Sequence, residues 1–343
     1  MADETEIRCG NSECRASETG KCVEGLALDK CPHIIRSNEP SEGNILPENA
    51  PAKNPNTELQ LPKAERLNVA DASTLLRAAP SRLIAIVGPT SCGKTSLIAS
   101  LSNLFQKGPV GNLRFARTRT MFAFEQACHH ARAASLRHVP ETEHTHRGSG
   151  VGFYHLGIQY DGTYTQLLLS DRPGEDYREV ADDPLNAADF VEVQRADSIL
   201  MMVDGRTFLD LIERHNARQN TLMILQGLKD GDVFSGSQRL GVALTKLDII
   251  KSASQIDHDR THREFDGLVN LIEARFSDNF REILPFKIAA SPATEILPYA
   301  YGSDELLQFW LEPQEASEPQ ILSKNDSARA MGRFGMADIW GAE

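Results

Sequence analysis

The first feature of this chain that could do chemistry is a glycine-rich segment, residues 88–95, which fits the pattern G-x-x-x-x-G-K-[ST]. Apolar residues 82–87 precede it and an amphipathic stretch, residues 94–106, follows it, which predicts a strand, a loop and a helix. In such a unit the loop N–H groups and the helix N-terminus face a phosphate, Lys94 reaches the β- and γ-phosphate oxygens, and the Thr95 hydroxyl binds Mg²⁺. The predicted phosphate site consists of Gly88, Thr90, Ser91, Cys92, Gly93, Lys94, Thr95 and Ser96.

A second motif, D-x-x-G, ends a later apolar stretch. Asp171 would hold Mg²⁺ through water, and the N–H of Gly174 would sense the γ-phosphate. Thr118 and Thr120 are candidates for a further Mg²⁺ contact from a mobile segment. Thr120 also suits the N-cap of the helix that follows it, and the sequence leaves both interpretations open.

A third motif, T-K-x-D, decides between bases, because the phosphate loop alone fits ATP and GTP equally. The Asp248 carboxylate can accept hydrogen bonds from both N1–H and the exocyclic amine of guanine, a donor pair that adenine lacks. Lys246 would lie along the base and ribose, and Thr245 would tie back to the phosphate loop. A backbone N–H for guanine O6 is expected from Ala290 or Ser291, since the proline that follows has no N–H.

The order of these motifs along the chain predicts an α/β fold of the P-loop NTPase type. Strand-like and helix-like stretches alternate, which indicates a mostly parallel sheet with flanking helices and one antiparallel edge strand. Asp161-Gly162 is a tight-hairpin dipeptide between two strands. The predicted organisation is a cysteine-rich module (1–36), a Pro/Asn-rich linker (37–69), the nucleotide-binding domain (70–312) and a polar tail (313–343).

Composition excludes several classes of protein. The 343 residues are 41% hydrophobic, which argues against wholesale disorder, and a net charge of −12 argues against a nucleic-acid-binding protein. No apolar run approaches the roughly 20 residues that span a bilayer. The acidic start lacks a secretory signal, so we expect a cytoplasmic protein without membrane contact.

With the three motifs in this order, the chain resembles TRAFAC-type GTPases and specifically the bacterial double-GTPase family. The resemblance covers about residues 70–312 and rests on the phosphate loop and on residues 115–125, 134–143, 168–175 and 245–248. It implies a G domain, GTP/GDP with Mg²⁺ as ligand, and a role in a bacterial conflict or signalling system. It also implies a protein partner encoded in the same gene cluster, for which a second GTPase is one candidate.

One departure from Ras-like GTPases concerns hydrolysis. Those proteins place glutamine directly after D-x-x-G to orient the attacking water, whereas this chain has Glu175. A carboxylate can orient water, but it also repels the γ-phosphate, so we expect slow hydrolysis that depends on Lys94, Glu175, Thr118 and Thr120. Two alternatives stay open: an ATP-using P-loop enzyme, and a GTP-binding adaptor that does not hydrolyse and docks through its cysteine-rich module.

The cysteines are distributed unevenly, since Cys9, Cys14, Cys22 and Cys31 fall in the first 31 residues. Disulfides are not expected to persist in a cytoplasmic protein, and four thiolates suit tetrahedral Zn²⁺. No C-x2-C pair is present, so the spacing is not that of a standard zinc finger. Zinc is the favoured interpretation, with a redox-active cluster or no metal as alternatives.

Metal analysis of the purified protein tests the zinc prediction. We expect about one Zn²⁺ per chain, and substitution Cys22→Ser should remove or weaken it because a tetrahedral site needs its fourth ligand. Absence of stoichiometric zinc from both proteins would contradict the prediction.

Overall fold

The computed structural model describes residues 7–9, 34–36, 64–131, 150–293 and 295–312. The chain divides into two compact units, residues 1–60 and 61–343. In the first, strand β1 (Ile7–Cys9) pairs antiparallel with β2 (Ile34–Arg36). The other predicted zinc ligands, Cys14, Cys22 and Cys31, lie outside the described residues, as do most of the predicted linker and the C-terminal tail. Zinc binding stays a prediction.

A seven-stranded sheet forms the centre of the second unit. Its strands are β3 (Ser81–Val87), β4 (Leu113–Arg117), β5 (Gly152–Tyr160), β6 (Thr163–Asp171), β7 (Ser198–Val203), β8 (Arg239–Leu244) and β9 (Glu282–Lys287). Their order across the sheet is β4-β5-β6-β3-β7-β8-β9. The strands from β6 to β9 in this order are parallel, whereas β5 is antiparallel to both neighbours. The carboxyl ends of β3, β6, β7 and β8 therefore lie at one edge of the sheet.

Helices connect these strands and cover the sheet. They are α1 (Val69–Ala78), α2 (Lys94–Lys107), α3 (Met121–Ala131), α4 (Gly174–Asp182), α5 (Val191–Arg195), α6 (Gly205–Leu209), α7 (Glu213–Asp230), α8 (Leu247–Lys251), α9 (Gln255–Phe276) and α10 (Ser303–Leu311). Short 3-10 helices span Pro184–Asp189 and Ser277–Asn279. Among the described residues, no helix combines the length and the apolar character needed to cross a membrane.

The core lies on both faces of the sheet because successive strand side chains point in opposite directions. Along β3, Ile84 and Ile86 join the cluster formed with α2, α3 and α10. Ala85 and Val87, between and beyond them, join the cluster formed with α4, α7 and α9. A strand buried on both faces reads as a continuous apolar run, which is why β3, β7 and β8 were predictable.

The mostly parallel α/β sheet predicted from the sequence is confirmed, as is the β5–β6 hairpin. Asp161 and Gly162 have φ of 46° and 79°, the pair of positive values that a tight two-residue hairpin turn requires. The antiparallel strand is not at the edge, however, because β4 pairs with its outer side. Only Leu113 of β4 is buried, so the strand lacks the apolar pattern that would have predicted it.

The start of the second unit also differs from expectation. Residues 64–69, assigned to the linker by composition, pack on the sheet through hydrogen bonds between Leu67 and Phe153. The helix that follows is capped by Asn68, whose side chain accepts from Asp71 N–H.

His155 on β5 ties several of these elements together. Its Nδ1 accepts from Arg119 N–H at 3.1 Å, which places the proton on Nε2, 3.0 Å from Gln166 Oε1 on β6. The Gln166 amide then donates to Leu75 O of α1. Burial, reinforced by the nearby Arg117 and Arg119 charges and opposed by the Gln166 hydrogen bond, lowers the pKa of His155 to about 4.

We therefore expect stability to fall with acid through His155. The unfolded chain protonates this side chain near pH 6.5, whereas the folded chain does so only near pH 4, so its contribution is complete above pH 6.5 and is lost between these values. Between pH 7.5 and 4.5, the free energy of unfolding should drop by about 2–3 kcal/mol more in the wild type than in His155→Asn, which keeps an acceptor for Arg119 N–H. Chemical denaturation at both pH values measures this difference, and equal drops would contradict it.

Candidate nucleotide-binding site

The loop between β3 and α2 forms a cradle of backbone donors. The N–H groups of Thr90, Ser91 and Gly93 donate to no acceptor within the part of the chain that the structure describes. They precede the N-terminus of α2, where further N–H groups lack partners in the helix. Such a set of converging donors suits an anion.

Lys94, the first residue of α2, lies across this loop. Its Nζ donates to Gly88 O at 2.9 Å and Pro89 O at 3.1 Å, and it lies 5.9 Å from the centroid of the Tyr177 ring. The ammonium is held at the loop by carbonyls and a ring face, which a phosphate can replace. Cys92 is buried, and burial raises the pKa of its thiol, while its backbone N–H donates to Pro89 O at 3.4 Å.

Thr95 and Asp171 meet where the carboxyl end of β6 approaches the first turn of α2. The Thr95 hydroxyl lies 3.3 Å from Asp171 Oδ1, and Arg66 Nη1 lies 3.5 Å from Oδ2. Asp171 is 1% exposed, so its charge sits in a weakly screened place. A hydroxyl and a carboxylate are the hard oxygen ligands that Mg²⁺ prefers, and this donor set fits the predicted metal.

The D-x-x-G loop touches the phosphate loop directly. Gly174 begins α4 so close to the backbone of Thr90 that a Cβ would overlap the Thr90 nitrogen. Glu175, the next residue, lines a cavity of about 520 Å³ between α4 and α7 that also borders Pro89 and Thr90. A ligand bound at the phosphate loop would therefore affect the position of the first turn of α4.

The base-recognition motif lies after β8, and its lysine is held by an aspartate that follows β7. Lys246 has a left-handed backbone (φ 54°), and its Nζ lies 2.6 Å from Asp204 Oδ2. Asp204 Oδ1 also accepts from Arg206 N–H and caps α6. Thr245, expected to tie back to the phosphate loop, instead donates to Val203 O at 3.2 Å.

Asp248 joins this motif to the loop after β9. Its Oδ2 accepts from Ala293 N–H at 3.0 Å, and the residue is 6% exposed. Ala290 and Ser291 precede this contact, and no described residue accepts from either N–H. Their role at guanine O6 stays a prediction.

Thr118 and Thr120 are engaged elsewhere. The Thr118 hydroxyl donates to His155 O at 2.6 Å, and the Thr120 hydroxyl accepts from His155 N–H at 3.0 Å. Thr120 O also accepts from Phe124 N–H at the start of α3. The Thr120 hydroxyl is thus bound to His155 and not to an N–H of α3, and a Mg²⁺ role for either threonine would require this segment to rearrange. Both interpretations of Thr120 stay predictions.

Among the arginines, Arg172, which follows Asp171 in the sequence, is a buried structural residue. Its guanidinium binds both carboxylate oxygens of Glu192, at 2.6 and 3.0 Å, and stacks over Phe190. Arg117 bonds the Tyr164 hydroxyl at 2.6 Å. Arg66, which the sequence analysis did not single out, contacts Asp171.

The sequence analysis did not identify three residues of the candidate site, for different reasons. Asp204 directly follows the apolar strand β7, and Asp171 is the last residue of β6; a polar residue at the carboxyl end of a parallel strand could have been recognised in the sequence. Ala293 acts through its backbone, and Arg66 sits in a segment with linker composition; neither carries a side-chain pattern.

The strand order and the loops at one edge of the sheet define a P-loop GTPase domain: a phosphate loop after β3, D-x-x-G after β6 and T-K-x-D after β8. The Double-GTPase 2 family model matches residues 82–311, more than half of the chain, and the chain belongs to this family. The double-GTPase resemblance seen in the motifs is thereby confirmed.

Other comparisons are more distant. Among curated proteins, none matches the chain. One similar solved structure is the signal recognition particle receptor SRb-GTP/SRX complex from Chaetomium thermophilum. The identity is 15%, the alignment covers 68% of this chain and 97% of that chain, and the TM-score is 0.38. The fold assignment rests on the strand order above and not on this similarity.

Proposed function

We propose that this chain binds GTP and GDP with Mg²⁺, hydrolyses GTP slowly, and acts as a nucleotide-dependent switch. The observation that carries the proposal is the meeting of three loops at the carboxyl edge of the sheet. The loop after β3 offers backbone donors and, in the first turn of α2, the Thr95 hydroxyl; the loop after β6 offers the Asp171 carboxylate; the loop after β8 offers the buried Asp248. Triphosphate, metal and base each have a matching group.

At the phosphate end, the N–H groups of Thr90, Ser91 and Gly93 would bind phosphate oxygens, and Lys94 would exchange its two carbonyl partners for them. Thr95 and Asp171 would hold Mg²⁺, which neutralises charge on the β- and γ-phosphates. At the base end, Asp248 would accept from the two donors of guanine. Asp204 would keep the ammonium of Lys246 in place while the aliphatic stem of the lysine lies along the base.

Slow hydrolysis follows from Glu175 in the first turn of α4. A second negative charge near the γ-phosphate opposes the approach of the nucleophile, even where the carboxylate orients water. We propose that a partner protein accelerates the step, and the family description makes a second GTPase a reasonable candidate. A route for the signal is α4 itself, which leads from Gly174 to the 3-10 helix carrying Leu185, 86% exposed.

Base selectivity tests the proposal against an ATP-using enzyme. Asp248→Asn should weaken GDP binding at least about tenfold and shift preference toward xanthine nucleotide, because an amide donates where the carboxylate accepted. Isothermal titration with GDP, XDP and ADP measures this. Asp259→Asn, on the exposed side of α9, is the matched control and should leave GDP binding unchanged. If Asp248→Asn leaves the relative affinities for GDP, XDP and ADP unchanged, guanine recognition by Asp248 is refuted.

Hydrolysis is tested by single-turnover phosphate release. Unaided turnover should be on the order of 10⁻³ to 10⁻² per second. Lys94→Ala should reduce it to background, because the transferred phosphoryl group loses its cation, while Lys107→Ala at the other end of α2 should match the wild type. Equal release from wild type and Lys94→Ala would show that no chemistry occurs here, and unaided turnover of many per second would contradict slow hydrolysis.

A further inference from the structure

A short segment before α1, residues 64–67 and here called the strap, is fixed beside the metal-site residues. Leu67 and Phe153 exchange two backbone hydrogen bonds of 2.9 Å, and Ala123 N–H donates to Ala64 O at 3.1 Å. Leu67 also packs with buried Phe153 and Leu83. The strap backbone is thus held to β5 and α3.

From this segment, the Arg66 side chain reaches Asp171. Its stem lies across Gly152, which is the register partner of Asp171 in the β5–β6 pair. The guanidinium Nη1 lies 3.5 Å from Asp171 Oδ2. The side chains are 37% and 1% exposed, so a solvated cation meets a buried carboxylate.

We propose that Arg66 is the counter-ion of Asp171 in the nucleotide-free site, that it competes with Mg²⁺ for this carboxylate, and that its side chain must move away when Mg²⁺ binds there. This inference rests on the function proposed above. A buried carboxylate requires a counter-charge, and Arg66 supplies one. A divalent cation held by the same carboxylate, directly or through water, would repel the guanidinium at close range, so the two cations compete.

The competition moves the side chain and leaves the strap in place. Three hydrogen bonds hold the strap backbone, whereas the ion pair is long and one partner is more than a third exposed. Pairs of this kind are weak and readily exchanged. Arg66 consequently sets how much Mg²⁺ the site needs, without blocking the phosphate loop.

The test is a Mg²⁺ titration of nucleotide binding to the full chain, followed with fluorescent GDP and ADP analogues. Arg66→Gln should lower the half-saturating Mg²⁺ concentration about threefold to tenfold, and Arg66→Lys, which keeps the charge, should lower it less. Arg77→Gln in α1, whose guanidinium donates to Ser73 O, is the matched control and should behave as wild type. Affinity in EDTA should be unchanged in Arg66→Gln, because Arg66 acts on the metal carboxylate. Circular dichroism confirms that each variant is folded.

Several outcomes of the Mg²⁺ titration would contradict the proposal. An unchanged or raised Mg²⁺ requirement in folded Arg66→Gln, or a lower affinity in EDTA, would overturn the proposal, and the latter would place Arg66 on the phosphates. A wild type that prefers ADP would refute guanine recognition while the Arg66 effect is still measured with ADP. Failure of wild type to bind any nucleotide would refute both.

Discussion

Backbone-to-backbone contact at the carboxyl edge of the sheet is the constraint on which this site depends. Gly174 approaches Thr90 so closely that a Cβ would overlap its nitrogen, and a Cβ on Gly205 would overlap Thr245 O. These contacts join the D-x-x-G loop to the phosphate loop, and the turn after β7 to the base-recognition turn. Because main-chain atoms touch with no side chain between them, a small shift in one loop must move its neighbour.

The sequence predicts those elements whose buried side chains form a recognisable apolar pattern. Strands β3, β7 and β8 are apolar on both faces, and the motifs follow them directly. The exposed strand β4 leaves no such pattern. Contacts made by backbone, such as Ala293 N–H to Asp248, depend on where distant loops meet, and residue types do not report this.

An acidic chain can still offer a binding site for an anion, because the groups close to the anion dominate the local electrostatics. The net charge of −12 is a property of the whole chain, whereas the phosphate loop presents N–H groups, one lysine and a helix N-terminus over a few ångströms. At such short range, local dipoles outweigh a diffuse field that salt screens within about 10 Å. The global charge therefore bears on partners and solubility rather than on the ligand.

The charged groups of the site already have partners: Lys94 has two carbonyls, Asp171 has Thr95 and Arg66, and Lys246 has Asp204. Binding is then an exchange of partners, and its free energy is the difference between the contacts formed and the contacts given up. The geometry of each ion pair determines whether it prepares the site for a ligand or competes with the ligand. Asp204 can keep Lys246 while a base packs on the lysine stem, so that contact prepares the site. Arg66 would share its carboxylate with a bound Mg²⁺, so that contact would have to be broken, and the same kind of ion pair would have opposite effects at the two ends of a bound nucleotide.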